Sequence, residues 1–346
     1  MNRDAFPSTH PGVLLLEVDR PAEIGAYLVS RGVLSARDLP VVVEKAGEGN
    51  MNCTLRVVTP HRRIIIKQGR PWVEKYDHIE APWGRTIVEG RFYEAARACP
   101  GVASRMPTLL DLDERMHVLT IEDVEDASDF THLYAGGRMT GEDAGALGDY
   151  LTQLHRMPVP ASLRPMFANR DMRTLNHEHI FDLPLRDANG LDLDRLTSGL
   201  AALAEDLRRR PAYVERVGAL GRMYLADGVA LVHGDYFPGS WLKGANGIKV
   251  IDPEFCFLGC PEFDCGVAAG HLLLADQPLA VVRMFLEACD GSASGDRRLV
   301  FQFAGVEIMR RVIGVAQLPL SRSLEQKRDL LSLSRRLVAG QGPEGL

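Results

Sequence analysis

The sequence predicts an α+β protein of two lobes, a small antiparallel sheet carrying one helix and then a larger, mainly helical part. Three observations support this prediction. The 346-residue length exceeds that of a usual single domain. Short β-rich runs separated by glycine and proline turns crowd the first part of the chain, and helix-type patterns fill most of the rest. We therefore place an N-terminal domain at 1–122 and a C-terminal domain at 123–346.

Composition narrows the classes of partner. Hydrophobic residues make up 46% and charged residues 25%, as in ordinary globular proteins. The 40 basic and 46 acidic side chains give a net charge of −6, which argues against nucleic-acid or membrane-surface partners. No membrane-length apolar segment or secretory leader is visible, and the six cysteines match no disulfide or zinc pattern, so we expect buried thiols and a cytoplasmic protein. A homodimer is compatible with the sequence, which does not determine the oligomeric state.

The sequence of the first domain predicts two helices and five strands. Pro21 favours the first turn of a helix and Gly32 its end, while β-branched runs separated by turns predict strands. The predicted elements are a helix at Pro21–Arg31, strands at Val41–Glu44, Cys53–Val58 and Arg63–Lys67, a helix at Arg85–Ala98, and strands at Thr108–Asp111 and Met116–Ile121.

The second domain follows an acidic connector, Glu122–Asp129. The stretch 158–191, which is rich in Pro, Asn and Asp, predicts a long irregular excursion. A strand at Val229–Val232 precedes a short hairpin turned at Asn246-Gly247. The predicted helices are Gly141–Met157, Leu193–Arg209, Ala212–Leu225, and segments near Phe263–Leu274, Pro278–Ala288, Arg297–Val315 and Leu324–Leu337.

A glycine turn and a strand lysine suggest a phosphate site in the first domain. Gly47, Gly49 and Asn50 lie between two predicted strands, where glycine lets the backbone approach anionic oxygens. A plain hairpin loop explains them equally well. Lys67 ends the apolar run Ile64-Ile-Ile and could pair with nucleotide phosphates, although a solvent-facing lysine is the simpler interpretation.

One glutamate of the following helix could steer Lys67. Glu89 and Glu94 are five residues apart, which turns a helix by about 500° and puts them on different faces. Only one of them can meet Lys67, and Glu89 is preferred by a small margin.

The strongest motif is the carboxylate set around the central hairpin. Asp235, in His-Gly-Asp, follows a predicted strand. Asp252, seventeen residues after Asp235, and Glu254 follow the hairpin. Phosphoryl transfer needs one carboxylate to orient the acceptor hydroxyl and others to hold Mg²⁺. We therefore expect these three acidic groups to gather around one divalent ion.

Two further groups of side chains have competing interpretations. Arg310 and Arg311 lie in an apolar helix, where burial of two guanidinium groups requires anionic or hydroxyl partners. One could reach a structural carboxylate, whereas the pair suggests a ligand pocket. His155, His177 and His179 lack a suitably spaced third metal ligand and are predicted to be surface or loop residues.

These segments together resemble the aminoglycoside phosphotransferase superfamily of protein-kinase-like small-molecule kinases, and within it the methylthioribose kinase group. The matching segments are GEGNMN at 47–52, IIIKQGRPWV at 64–73, IEDVEDASDF at 121–130, HGDYFPGS at 233–240, VIDPEF at 250–255 and EIMRRVIG at 307–314. The resemblance covers most of the chain.

The resemblance implies a two-lobed protein-kinase-like fold that binds ATP between its lobes. It implies that Asp235 is the catalytic base and that Asp252, Glu254 and Ser240, which replaces the usual Asn, hold Mg²⁺. The residues that would contact the nucleotide are Gly47, Gly49, Asn50, Lys67, Glu89 and the segment formed by Glu122, Asp123 and Val124. Arg310 and Arg311, with Asp235, would bind the acceptor.

The acceptor that the resemblance implies is a small hydroxylated metabolite, with a thiosugar such as methylthioribose preferred. Tyr236-Phe237-Pro238 departs from the Leu-His-Thr segment that is common in the family, so the particular sugar is open. Two alternatives remain, an antibiotic kinase of the aminoglycoside type and a nucleotide-binding scaffold without catalysis. The paired arginines argue against polycationic aminoglycosides.

Overall fold

A computed structural model of the protein describes residues 6–47, 51–291, 295–318 and 320–343. The chain divides into two compact units, Met1–Ala127 and Ser128–Leu346; the sequence-based boundary stood after Glu122. The predicted α+β class is confirmed, with an antiparallel sheet in the first unit and mainly helices in the second. Within the described ranges, no helix is both long and apolar enough to cross a membrane.

The N-terminal unit is built on a five-stranded antiparallel sheet. Its strands lie side by side in the order Val42–Lys45, Cys53–Val58, Arg63–Gln68, Val118–Glu122 and Leu109–Asp113. Apolar side chains of its central strands pack with the second helix into one core. The predicted meander is confirmed, and a short hairpin that the sequence analysis missed follows its third strand. The elements are α1 (Phe6–Thr9), α2 (Pro21–Ser30), β1 (Val42–Lys45), β2 (Cys53–Val58), β3 (Arg63–Gln68), β4 (Trp72–Val73), β5 (Tyr76–Glu80), α3 (Arg85–Ala96), α4 (Pro100–Ala103), β6 (Leu109–Asp113) and β7 (Val118–Glu122).

The C-terminal unit is mainly helical and carries short strand pairs. The strands Trp241–Gly244 and Gly247–Val250 form the predicted hairpin, and Ala230–Val232 pairs with Phe257–Gly259. The elements are β8 (Ser128–Asp129), α5 (Gly141–Arg156), α6 (Arg170–His177), α7 (Leu193–Leu196), α8 (Leu200–Arg208), α9 (Pro211–Leu225), β9 (Ala230–Val232), β10 (Trp241–Gly244), β11 (Gly247–Val250), β12 (Phe257–Gly259), α10 (Pro261–Leu274), α11 (Leu279–Cys289), α12 (Arg297–Ile313) and α13 (Leu324–Val338).

Two sequence predictions in this unit are wrong. The stretch 158–191 is not wholly irregular, because it contains α6 and a π-helical turn at Glu178–Asp182 whose buried side chains include Met172 and Phe181. The single helix predicted at Leu193–Arg209 is two helices. Gly199, with φ +88°, interrupts it in a left-handed conformation that favours glycine.

Helices α10 and α12 form the buried centre of the C-terminal unit, and every residue of α10 is buried. Glycines allow their close approach: a Cβ added to Gly266 would lie 2.5 Å from Cβ of Phe303, and one added to Gly270 would lie 3.0 Å from the Ala304 carbonyl oxygen. This packing brings polar side chains of the two helices together in an apolar setting.

Candidate active site

Lys67 forms a buried ion pair with Glu89 in the N-terminal unit. Lys67 Nζ lies 2.6 Å from Glu89 Oε1, and the two side chains are 5% and 0% exposed. The simpler interpretation of a solvent-facing lysine is therefore wrong. Glu94 pairs instead with Arg91 on the same helix. A lysine held in this way presents a cation of restricted orientation at the end of β3.

The glycine turn is described only in part. Gly47 has φ +71°, a left-handed conformation that favours glycine, whereas Gly49 and Asn50 lie outside the described residues. The far side of the turn is held by Arg85 at the start of α3. Its guanidinium donates to Asn52 Oδ1 at 2.7 Å and to the Met51 carbonyl at 2.5 Å.

The segment 122–124, whose backbone the resemblance places against the adenine of the nucleotide, begins at the end of β7. The Glu122 backbone N–H donates to the Thr108 carbonyl at 2.9 Å, and the Glu122 side chain accepts from the Thr108 hydroxyl at 2.9 Å. Asp123 is buried against Arg56 Nε at 2.6 Å, and the Val124 carbonyl accepts from Ala127 at 3.4 Å. These contacts order the segment, while its nucleotide role stays a prediction.

The loop that carries Asp235 has a backbone conformation that only glycine fits. Gly234 has φ +86°, and a Cβ there would lie 2.1 Å from the Phe255 carbonyl oxygen. Asp264, at the start of α10, accepts hydrogen bonds from the backbone N–H of His233 at 2.7 Å and of Gly234 at 3.0 Å. One buried carboxylate thus anchors the peptide that precedes Asp235.

Asp264 also contacts His155, whose Nε2 lies 3.0 Å from Oδ2. The prediction that His155 is a surface residue is wrong, because its side chain is fully buried. The contact with Asp264 explains the burial of His155, because a buried carboxylate requires hydrogen-bond partners inside the core. His177 and His179 are half-buried at the end of α6 and in the π-helical turn.

His233 connects the two carboxylate loops. Its Nε2 lies 2.9 Å from the Ile251 carbonyl, next to Asp252, and its Nδ1 lies 3.4 Å from the backbone nitrogen of Asp235. Burial lowers the pKa of His233. The neutral tautomer that fits donates from Nε2 and accepts at Nδ1. This histidine therefore fixes the spacing of the loops that end in Asp235 and Asp252.

Both arginines of α12 approach the same oxygen of Asp235. Arg310 Nη2 lies 3.3 Å and Arg311 Nη2 lies 3.7 Å from Oδ1. Asp235 is 24% exposed, so it stays open to solvent while the guanidinium groups are nearly buried. The Arg311 guanidinium also lies 5.3 Å from the ring centroid of Phe237, within range of a cation–π interaction.

A second carboxylate, that of Glu307, accepts hydrogen bonds from the Nε atoms of both arginines. Burial opposes its ionisation, but the guanidinium groups outweigh that effect and keep the pKa of Glu307 well below its usual range. His271 Nε2 lies 2.8 Å from Glu307 Oε1, and His271 Nδ1 lies 2.6 Å from the Tyr134 hydroxyl. Burial lowers the pKa of His271 to about 4, so its ring is neutral near neutral pH.

The expected cluster of three carboxylates around one ion is wrong for this structure. Among the described residues, which include Asp235, Asp252 and Glu254, no group of three or more His, Cys, Asp or Glu side chains is placed to hold a metal. The arrangement has a physical reason: Asp235 is directed to guanidinium groups, and Asp252 and Glu254 flank Pro253 in a short 3-10 turn. Asp252 has φ +64°, a strained backbone for a residue other than glycine.

Asn169 supports this turn from the segment that sequence reasoning treated as irregular. Its side-chain amide donates to the carbonyls of Cys256 at 2.9 Å and Glu254 at 3.3 Å. Ser240 is buried, and its hydroxyl donates to the Asp235 carbonyl at 3.1 Å. In this structure Ser240 supports the loop that carries Asp235, and its role as a metal ligand stays a prediction.

Sequence reasoning missed four residues that shape this site: Asp264, Glu307, His271 and Asn169. Two of them carried a usable signal. Glu307 stands three and four residues before the arginines, which is the helical spacing of an ion pair, and Asp264 is an acidic residue in a mainly apolar helix. His271 and Asn169 are brought to the site by tertiary packing alone.

Comparison with known proteins gives a family match and similar relatives by sequence. Residues 42–300 match the model of the phosphotransferase enzyme family. A methylthioribose kinase of Exiguobacterium sibiricum is 26% identical, over 86% of this chain and 88% of its own, and one of Bacillus velezensis is 25% identical, over 88% and 86%.

Solved structures show the same fold at low identity. A spectinomycin phosphotransferase in complex with ADP and spectinomycin superposes with a TM-score of 0.55 at 14% identity, covering 92% of this chain and 97% of its own. A choline/ethanolamine kinase family protein from Mesorhizobium loti gives 0.53 at 16% identity, covering 93% and 95%.

The family match and the solved structures together define a phosphotransferase with a protein-kinase-like fold. The chain belongs to the phosphotransferase enzyme family, and within it the chain is similar to the methylthioribose kinases.

Proposed function

We propose that this kinase transfers the γ-phosphoryl group of ATP, as its magnesium complex, to a hydroxyl of a small sugar, with methylthioribose the best-supported acceptor. The observation that carries the proposal is the placement of Asp235: a partly exposed carboxylate on a loop anchored by Asp264 and faced by two guanidinium groups. The named relatives that cover most of the chain support the choice of sugar.

In the proposed reaction each bond formed is matched by a bond broken, and the released proton has an acceptor in the C-terminal unit. The acceptor oxygen forms a bond to the γ-phosphorus, the bond from that phosphorus to the β,γ-bridging oxygen breaks, and ADP leaves. The acceptor proton passes to Asp235, which orients the hydroxyl. Arg310 and Arg311 offset negative charge that develops near the acceptor. Positioning and electrostatics supply most of the rate in phosphoryl transfer.

The residues present fit a magnesium–nucleotide complex. Mg²⁺ is usually held by one or two carboxylates together with substrate phosphates and waters. Asp252 and Glu254 meet that requirement without a third protein carboxylate, and Ser240 is the further candidate ligand. In the N-terminal unit, Lys67 held by Glu89 is proposed to contact the phosphates, with Gly47, Gly49 and Asn50 as the loop over them and the backbone of 122–124 at the base.

The paired arginines also distinguish the acceptor from an aminoglycoside. A polycationic antibiotic would meet two buried cations beside the catalytic carboxylate, which costs binding energy. A neutral sugar meets guanidinium donors that bind its hydroxyl oxygens. Phe237, which lies under Arg311, adds an aromatic surface suited to an apolar substituent.

The first test is a phosphorylation panel analysed by mass spectrometry. The purified chain with Mg·ATP is offered methylthioribose, ribose, choline, an aminoglycoside and spectinomycin, and each product is examined for one added phosphate. We expect methylthioribose to be the preferred acceptor. Preference for an antibiotic or an amino alcohol would overturn the assigned acceptor, and no product from any of them would count against the sugar-kinase proposal.

The second test is Asp235→Asn. Removal of the proton acceptor is expected to lower kcat by about 10²–10⁴-fold, while nucleotide affinity, measured by titration calorimetry, stays near that of the unmodified protein. The control is Asp206→Asn, which removes an exposed carboxylate on α8. Equal losses of turnover and nucleotide affinity in Asp235→Asn would contradict the assigned role.

A further inference from the structure

We propose that Glu307 is a positioning residue that sets the orientation of both acceptor-side arginines toward Asp235. The inference rests on the proposed function, since it concerns the same site. Glu307 contacts no reacting atom, and it would act through Arg310 and Arg311. It was not among the residues that the motifs indicated, and the geometry of α12 is what brings it into the site.

Glu307 binds one atom on each arginine and leaves the others available. Arg310 Nε donates to Oε2 at 2.5 Å, and Arg311 Nε donates to Oε1 at 2.8 Å. The Nη2 atoms of both groups remain directed to Asp235 Oδ1. A guanidinium is planar, so an acceptor fixed at Nε determines where the remaining N–H groups point.

The charges of the site require such a carboxylate. Two guanidinium groups on consecutive residues are 7% and 8% exposed, and Asp235 supplies one negative charge. Glu307, 1% exposed, supplies the second, which leaves two cations and two anions beside a neutral His271. Without Glu307 the guanidinium groups would repel each other at low dielectric and turn toward other partners.

Neighbouring groups hold Glu307 in place. His271 lies 2.8 Å from Oε1 and is fixed on its other side by Tyr134. A Cβ added to Gly270 would lie 3.0 Å from Glu307 Cβ, so the α10 backbone closes over the start of the side chain. The carboxylate is therefore built into the α10–α12 contact, and its orientation is set before an acceptor arrives.

The decisive comparison is steady-state kinetics of Glu307→Gln. The neutral amide keeps the shape of the side chain and removes its charge. We expect kcat/KM for the acceptor to fall by about 10–100-fold, while KM for Mg·ATP stays within about twofold. The matched control is Glu262→Gln, which removes another buried carboxylate, at the start of α10, and is expected to leave both constants unchanged.

Chemical rescue separates positioning from a general structural effect. Arg311→Ala is expected to lose acceptor turnover and to regain part of it when guanidinium at non-denaturing concentration is added. Arg311→Ala combined with Glu307→Gln should show little rescue, because the anion that would hold the added guanidinium is gone. Melting temperatures recorded in parallel identify variants that fail to fold. If Glu307→Gln fails to fold, Glu307→Asp takes its place in the comparison of rescue with and without the change at Glu307.

The outcomes separate the two proposals. If the unmodified protein phosphorylates no sugar, the proposed function fails on its own terms. If the unmodified protein is active while Glu307→Gln loses nothing, or loses acceptor and nucleotide affinity equally, the positioning role is refuted. Rescue that is equal with and without Glu307 would also refute it.

Discussion

At the scale of single residues, Lys67 shows how a side chain proposed to contact phosphates can also have a structural role. Its amine is buried with Glu89, so under the proposed function its removal would change both the charge offered to a nucleotide and the stability of the N-terminal unit. A substitution that lowers activity would not by itself separate these effects. A pair of substitutions can separate them, because a buried ion pair often exchanges for an apolar pair with little change in stability.

We predict that Lys67→Met destabilises the protein by about 3–5 kcal/mol, because Glu89 then loses its cation while buried. Lys67→Met combined with Glu89→Met should recover most of that free energy of unfolding, measured by urea denaturation. Phosphoryl transfer should remain low in both variants, because neither offers a cation to the phosphates.

Recovery of activity together with stability in the double variant would assign Lys67 a structural role only.

The choice between Glu89 and Glu94 illustrates what residue spacing can tell. Helix geometry shows that only one glutamate can face the lysine, but which one depends on the side of α3 that packs on the sheet. The structure places Glu89 in the core and leaves Glu94 to pair with Arg91.

At the scale of elements, Arg85 connects α3 to the chain segments around it. Its guanidinium is buried and donates to carbonyl groups of Met51, Arg70 and Trp72 and to the side chain of Asn52. Several donors in one fixed plane can satisfy acceptors that lie in different directions, which a lysine cannot do. The start of α3 and the far end of the glycine turn are therefore held as one substructure.

We predict that Arg85→Lys lowers the free energy of unfolding by about 2–3 kcal/mol, because buried carbonyls lose donors. It should also raise KM for the nucleotide, because residues 51 and 52 lose the donor that holds the end of the turn. Urea denaturation and steady-state kinetics measure the two effects. Arg91→Lys, on the same helix but partly exposed, is the control for loss of a guanidinium; an equal response of both variants would contradict the prediction.

The elements themselves followed closely from local sequence. The β1–β2–β3 meander, the hairpin at Asn246-Gly247 and most long helices appear near their predicted bounds, because turn residues and hydrophobic periodicity act locally. The segment 158–191 was misjudged since polar residues obscured the buried side of α6. Its contribution to the site, through Asn169, depends on contacts with residues more than eighty positions away.

At the scale of the whole molecule, buried histidines couple stability to pH. Burial lowers the pKa of His271 to about 4, whereas an exposed histidine in the unfolded chain has a pKa of about 6.5. Between these values the unfolded chain binds more protons than the folded protein. Stability is therefore complete above about pH 6.5 and decreases as pH falls, by up to about 3 kcal/mol from this residue.

We predict that His271→Gln reduces this dependence. Urea denaturation at about pH 7 and about pH 5 should show a smaller loss of stability in the variant than in the unmodified protein. The pKa of Glu307 is lowered, so its contribution to stability decreases only at pH values below about 4.5, outside the range of this experiment. His78→Gln removes an exposed imidazole and serves as control. An unchanged pH dependence in His271→Gln would show that another group is responsible.

Local sequence by itself determined the class of the fold, the order of most elements and the loops that carry Asp235 and Asp252, because turns and periodicity depend on near neighbours. Tertiary structure alone decided what those carboxylates contact. Asp235 faces two arginines rather than joining Asp252 and Glu254 in one cluster, since α12 packs against α10 and brings Glu307 and the arginines to the loop. Such contacts join residues 75 positions apart, and their geometry depends on packing that no local pattern encodes.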